Sequence, residues 1–251
     1  MRAWALNFKT RTAVELAAAE IGEARASGQF CWVDVAEGDP FMLELPKHQA
    51  DLPDGFADDV VRDLTFADGW LAFGLVEPRV TSERDRPVGL NVLFCANLLV
   101  TVDLGGSETL VRLRQTWHDD FILHAQSPGF FLFELADHFT TVAQRQVREL
   151  EPQVTALQAR LFEDADDGVF AETARPVQML GDFRHRLIIA HEIFDELATR
   201  TSSFVPETTR PFLARNADRI ERTANELLLQ RDALMSALNL CIGMTGHRTG
   251  Q

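Results

Sequence analysis

Residues 213–241, LARNADRIERTANELLLQRDALMSALNLC, decide how the rest of the chain reads. Small or apolar residues recur there at alternating steps of four and three: Leu213, Ala217, Ile220, Ala224, Leu227, Leu234, Leu238 and Cys241. Arg231 is the one position that breaks the series, and Leu228, Met235 and Ile242 form a second stripe beside it. A period of 3.5 held over about four heptads is the seam of a coiled coil or helical bundle. The pattern predicts an oligomer seam through Leu213, Ile220, Leu227, Leu234 and Leu238. Pro206 and Thr208 are placed to open this helix and Gly243 to close it. Its length is then roughly 55 Å, more than a small domain spans, so it needs partners along its course.

Working outward, the 251 residues suffice for one large domain or two small ones with a packed core. A net charge of -14 argues against nonspecific nucleic-acid binding and against a polybasic dock on an anionic membrane; such a surface either keeps the chain soluble, the favoured reading, or concentrates cations near it. Cys31, Cys95 and Cys241 are far apart in apolar surroundings, which predicts buried thiols and a reducing compartment. The N-terminus has no signal-peptide core, and the run from Val88 to Val102 is too short to span a bilayer. The chain is expected to be soluble as it stands.

The first third alternates strands and helices. Ala3–Phe8 and Phe30–Val35 read as strands, Ala13–Ala26 as an Ala/Glu-rich helix stopped by Ser27-Gly28, and Pro40–Gln49 as a short helix. Val60–Phe66 and Trp70–Val76 flank the turn at Ala67-Asp68-Gly69, and Gly89–Cys95 and Leu98–Asp103 flank a second at Ala96-Asn97. After Gly105-Gly106 the chain reads as helix: Ser107–His124 capped by Ser107 or Thr109, a long helix from Phe131 to Glu163 that Pro152 should kink, an acidic turn at Glu163–Gly168, and Ala174–Thr199. The expected class is α/β (α+β). An N-terminal mixed sheet with flanking helices (1–106) precedes a part with a long antiparallel helix pair (107–205) and a stalk helix (206–251).

No nucleotide, nucleophile-elbow or zinc-protease motif occurs, so no enzyme and no catalytic residue is expected. His191 and Asp195 share a helix face and read as a surface pair. The Asp164–Gly168 stretch has its glycine one place early and Arg175 at the twelfth position, which excludes an EF-hand. His118-Asp119-Asp120 and Arg184-His185-Arg186 read as solvated helix faces, the latter favoured over an anion clamp.

Taken in order, these segments resemble the cytosolic portion of the CorA family of divalent-cation transporters and its ZntB-like branch. Phe30–Val35 (FCWVDV) is similar to the family's early W-I/V-D-L strand, and Leu98–Val102 (LLVTV) to its later T-V strand. Phe131–Asp137 resembles the start of its first long helix, Glu149-Leu150-Glu151 with Leu157–Phe162 the end of that helix, and Leu187–Leu197 the helix after it. Phe212–Thr249 resembles the stalk through Ala217-Asp218-Arg219, Arg231-Asp232, Leu234–Leu240 and the ending His247-Arg248-Thr249.

The resemblance implies a regulatory funnel domain gating a divalent cation, zinc or magnesium. It implies a homopentamer at the cytoplasmic face of the cell membrane, attached through segments absent from this chain, and no nucleic-acid partner. The rival expectation is a soluble oligomeric scaffold. The resemblance also implies stalk and pore positions at Asn239, Gly243, Gly246 and Gly250, and it leaves Asp218, Glu221 and Asp232 as interface carboxylates, either metal ligands or members of interchain or i,i+4 ion pairs. Three departures stand out: Arg215 and Asn239 where the family has aspartates, and Gly250 where it has asparagine. Arg215 would repel a hard cation, so weak magnesium sensing is expected.

Overall fold

A computed structural model of the chain describes residues 1–44, 55–67, 69–80, 87–163, 167–202 and 205–249. Strands β1 (Arg2–Asn7), β2 (Thr12–Glu15), β3 (Phe30–Ala36), β4 (Thr65–Ala67), β5 (Trp70–Val76), β6 (Gly89–Cys95) and β7 (Leu98–Leu104) form one mixed sheet. Their order is β2-β1-β3-β7-β6-β5-β4, and the β3–β7 pair is the parallel one. The helices are α1 (Ile21–Ala26), α2 (Phe41–Glu44), α3 (Glu108–His124), α4 (Gly129–Glu163), α5 (Asp167–Thr199) and α6 (Arg210–Thr249). The expected mixed sheet followed by long helices is the architecture observed.

Strand β3, FCWVDV with the exposed Ala36 at its end, is covered on both faces. Phe30 and Trp32 face α3 and α4 through Trp117, Phe121 and Phe131, while Cys31, Val33 and Val35 face Ile21, Phe41 and Phe56 on the other side. A strand covered on both faces has no solvent side to mark with polar residues. The polar member, Asp34, is buried and paired. It lies in register with Thr101 of β7, whose Oγ1 donates to Asp34 Oδ1 at 2.8 Å and accepts from Trp32 Nε1 at 3.1 Å. Arg114 of α3 donates from Nε to Asp34 Oδ2 at 2.7 Å and from Nη1 to Asp103 Oδ2 at 2.8 Å. Burial alone would depress the Arg114 pKa, but these two carboxylates raise it above the ordinary arginine value. The W-V-D and T-V segments are thus one polar lock between sheet and helix.

The helix begins where expected, with Ser107 as its cap: Ser107 Oγ accepts from the Leu110 N–H at 3.2 Å. A second cap comes from the buried Glu77. Its carboxylate accepts from Ser107 Oγ at 2.6 Å and from the N–H groups of Glu108 and Thr109 at 3.0 and 2.8 Å. A carboxylate there also meets the positive end of the helix dipole.

Several local expectations fail for identifiable reasons. Residues 13–26 are not one helix. Thr12–Glu15 pairs antiparallel with β1, and the reversal is made by Asn7, whose Oδ1 accepts from the Lys9 and Thr10 N–H groups. Ladder pairing outweighs the helix propensity of Ala and Glu, and only 21–26 is α-helical, stopped at Ser27 and Gly28 (φ +80°).

The strand expected over 60–66 shrinks to Thr65–Ala67 because Asn91 of β6 supplies the upstream partners instead. Asn91 Nδ2 donates to the Phe56 and Asp59 carbonyls at 2.8 and 2.7 Å, and Oδ1 accepts from the Val61 N–H at 2.9 Å. Of the helix expected over 40–49, Phe41–Glu44 is helical and 45–49 lies outside the described residues. The hairpin turn residue Asp68 lies outside them as well, as do 164–166 of the acidic turn, while Asp167 and Gly168 open α5. Helix α4 carries on through Pro152, and α5 through Pro176. Nor does Gly243 close α6: it does not take a left-handed conformation, and the helix runs on to Thr249, about 60 Å in all.

Candidate functional site on the last helix

Helix α6 is held by its neighbours from its start to Cys241. Gly129 at the start of α4 lies against Pro206 and Thr209, and Cys241 Sγ reaches the Leu161 carbonyl near the end of α4 at 3.1 Å. The two helices therefore run parallel, with α5 returning between them. The His191 ring of α5 meets the Ala217 carbonyl at 3.2 Å. Between these points, Arg219 Nη1 donates to Asp137 Oδ1 at 2.6 Å and Nη2 to Gln144 Oε1 at 3.0 Å, both on α4. Asn216 Oδ1 also accepts from Arg219 at 3.0 Å.

The residues expected to form an oligomer seam are covered inside the single chain. Leu213, Ile220, Leu227 and Leu234 are 0% exposed inside the single chain, and Ala217, Ala224 and Cys241 are buried with them. Leu238 is half-buried against the same core. Within the chain the heptad is covered by α4 and α5. A 3.5-residue period reports that something covers the stripe, not which chain supplies the cover.

The exposed side of α6 carries a second series that sequence reasoning passed over. Arg215, Asp218, Arg222, Asn225, Leu229, Asp232, Ser236, Asn239 and Gly243 also follow steps of three and four, and all are exposed. The signal was present in the spacing but lacked the apolar mark that draws attention to a seam. Leu229 is 69% exposed, whereas Leu227 two residues earlier is 0% exposed.

The proposed ligands fall on or beside this outer stripe. Asp218, Glu221 and Asp232 are exposed, and none makes an ion pair within 4 Å among the described residues. Asp218 and Glu221 stand one turn apart, but Asp232 is about 21 Å from Asp218 along the helix axis. One chain therefore does not bring the three together, and among the described residues no cluster of three or more metal-ligating groups exists.

Arg215 is exposed beside Asp218, its guanidinium 5.9 Å from the Phe212 ring centroid. Asn239 and Gly243 are exposed, Gly246 lies in the last turns of α6, and Gly250 is outside the described residues. Among the described residues no helix is long and apolar enough to cross a membrane.

The comparisons with known proteins follow this geometry. The family model described as CorA-like Mg2+ transporter protein matches residues 27–251. The chain belongs to the CorA-like family. No curated protein matches it in sequence. The fold of this CorA-family chain recurs in solved structures of low identity. The complete CorA magnesium transporter from Methanocaldococcus jannaschii superposes with a TM-score of 0.82 at 16% identity, covering 99% of this chain and 78% of that one. The soluble domain of CorA from the same organism gives 0.77 at 14% identity, covering 96% of each chain. The ZntB cytoplasmic domain from Vibrio parahaemolyticus gives 0.67 at 12% identity, covering 100% of this chain and 98% of that one.

Proposed function

We propose that this CorA-family chain is the regulatory domain of a divalent-cation transporter, and that copies meet through the outer stripe of α6. The observation that carries the reading is the two-sided use of α6. Its apolar heptad is consumed within the protomer, leaving the exposed series from Arg215 to Gly243 as the face available to other copies. Toward its C-terminal end that face is small and polar, with Asp232, Ser236, Asn239 and Gly243, which lets helices approach a common axis closely. The carboxylates of Asp218 and Glu221 form one acidic level and Asp232 another, about 21 Å further along the helix; each level would meet its own counterparts in neighbouring copies, where a hard cation can bridge them. A pentamer at the cytoplasmic face of the membrane is the assembly this reading expects. Cation occupancy would bias one of two packings of the ring, which is how a ligand shifts a conformational equilibrium.

Arg215 and Arg222 flank Asp218 on the same stripe and oppose magnesium there. The proposed cation response is accordingly weak at this end of α6 and is restored when the positive charge is removed. Light scattering and thermal melting of the purified chain, with and without millimolar magnesium or zinc, test this. The expected result is a magnesium-indifferent melting temperature in the unaltered chain and a magnesium-dependent rise in Arg215→Asp. A clear rise in the unaltered chain that survives Asp218→Ala would overturn the placement of the cation.

A further inference from the structure

A cleft between the sheet and α5 holds the strongest unassigned chemistry in the molecule. Strand β4 pairs with β5 only as far as Ala72, so the edge of β5 from Gly74 to Val76 lies beyond that ladder and borders a cleft of about 290 Å³ whose far wall is α5. Its polar lining is Arg62, Asp182, His185 and Arg186, and its apolar lining includes Val76 and Ile189. In a chain of net charge -14, two arginines and a histidine here stand with a single carboxylate among the described residues.

Arg186 is the residue that asks for a ligand. It is half-buried, and one of its N–H groups donates to the Glu77 carbonyl at 3.1 Å. No carboxylate lies within 4 Å of it among the described residues. Burial pulls its pKa below the ordinary arginine value, and the charge of Asp182 only partly offsets this. A guanidinium carries five N–H donors in a planar fork matched to anionic oxygens, and a partly desolvated cation whose nearest carboxylate lies beyond ion-pair distance is a costly arrangement. The solvated-face reading of Arg184-His185-Arg186 does not account for a guanidinium drawn into a cleft with an apolar wall.

We propose that this cleft binds a small organic anion, a phosphate or carboxylate on an apolar body. Arg186 forks onto the anionic oxygens, Arg62 and His185 close over them, and the body lies against Val76 and Ile189. The site is joined to the helices, because Glu77, whose carbonyl Arg186 holds, also caps α3, and α5 is the packing partner of α6. An anion seated there braces α5 against the sheet. The inference is independent of the transport reading, since binding by the purified chain needs neither a cation nor assembly.

The test is calorimetric titration of the purified chain, at neutral pH and low salt, with phenyl phosphate, benzoate and inorganic phosphate. At least one aromatic anion is expected to bind, with inorganic phosphate weaker because it lacks the apolar body. Phenyl phosphate binding alone assigns phosphate esters, and benzoate binding alone assigns carboxylates. Arg186→Gln is expected to weaken binding by roughly tenfold, the scale of a lost charge-assisted pair. Asp182→Asn, which removes the competing carboxylate, is expected to strengthen it. No binding of either aromatic anion overturns the proposal, as does an affinity indifferent to Arg186→Gln. Should that variant fail to fold, an affinity that does not rise in Asp182→Asn overturns it.

Discussion

Gly74 on β5 stands directly opposite Asn91 on β6, and the Asn91 amide fills the space that a Cβ on residue 74 would need. The same added atom would also run into the Val61 carbonyl. This pairing lets one buried side chain satisfy three backbone groups of the 56–61 segment and hold that segment over the end of the sheet.

Gly74→Ala is therefore expected to destabilise the fold by about 2 kcal/mol or more, through overpacking rather than backbone entropy. Asn91→Ala should cost about 2–4 kcal/mol, because it leaves backbone groups unpaired. The double variant should not recover the loss at Gly74, since the Val61 carbonyl still blocks the Cβ. Urea unfolding of the two single variants and the double checks this, and recovery in the double would show that the amide alone sets the limit.

Asp34→Ala removes the carboxylate that Arg114 and Thr101 both address. The expected cost is about 3–5 kcal/mol, the scale for breaking a buried pair and leaving one charge behind. Arg114→Met should cost less than Arg114→Ala, since it restores packing though not charge. Equal losses in these two variants, measured by denaturant midpoint, would show that packing contributes nothing to the lock.

The two leucines at 227 and 229 separate folding from assembly. Leu227→Ala is expected to cost about 2–5 kcal/mol, whereas Leu229→Ala should stay within about 0.5 kcal/mol. Leu229→Asp should leave the melting transition in place and lower the mass seen by light scattering. Leu227→Asp should unfold the chain instead. A folded but dissociated Leu227→Asp variant would return the apolar heptad to the oligomer.

Glu108 gives a pH dependence with a definite sign. Its partial burial pushes the carboxyl pKa up, but hydrogen bonds from Arg112 and Arg145 outweigh this and hold it below the ordinary value. The folded state therefore favours the charged form. That contribution is present above the unfolded pKa and is lost as pH falls through the folded one. Because the site is partly exposed, the amount is under about 1 kcal/mol. Glu108→Gln should be less stable than the unaltered chain at neutral pH, and the difference should narrow as pH falls below about 4. A gap that stays constant over that range would mean that the loss is one of hydrogen-bond geometry and not of charge.

Much of the fold was legible from the residues alone. The β3, β5, β6 and β7 segments, the Ser107 cap and the three long helices follow from period, punctuation and run length, which are local properties. The family was legible in FCWVDV, LLVTV and the last helix taken together. The β2 strand was not legible, because β1 recruits Thr12–Glu15 by pairing and local propensity says nothing of a distant edge. Nor was the brevity of β4, which depends on one asparagine thirty residues further along the chain.

At the candidate sites the division is sharper. The spacing of Leu213, Ile220, Leu227 and Leu234 determined that α6 has a buried seam. Only the tertiary structure decided that α4 and α5 fill it and that Asp218, Glu221 and Asp232 are left on the opposite, exposed face. Likewise, Arg186 could be read as a helix-surface charge until the fold placed it in a cleft beside Glu77. The reason is common to both cases. Apolar burial is non-directional and a charge is costly only where water is excluded, so sequence specifies which side chains need cover or a counter-charge, and packing alone specifies what provides them.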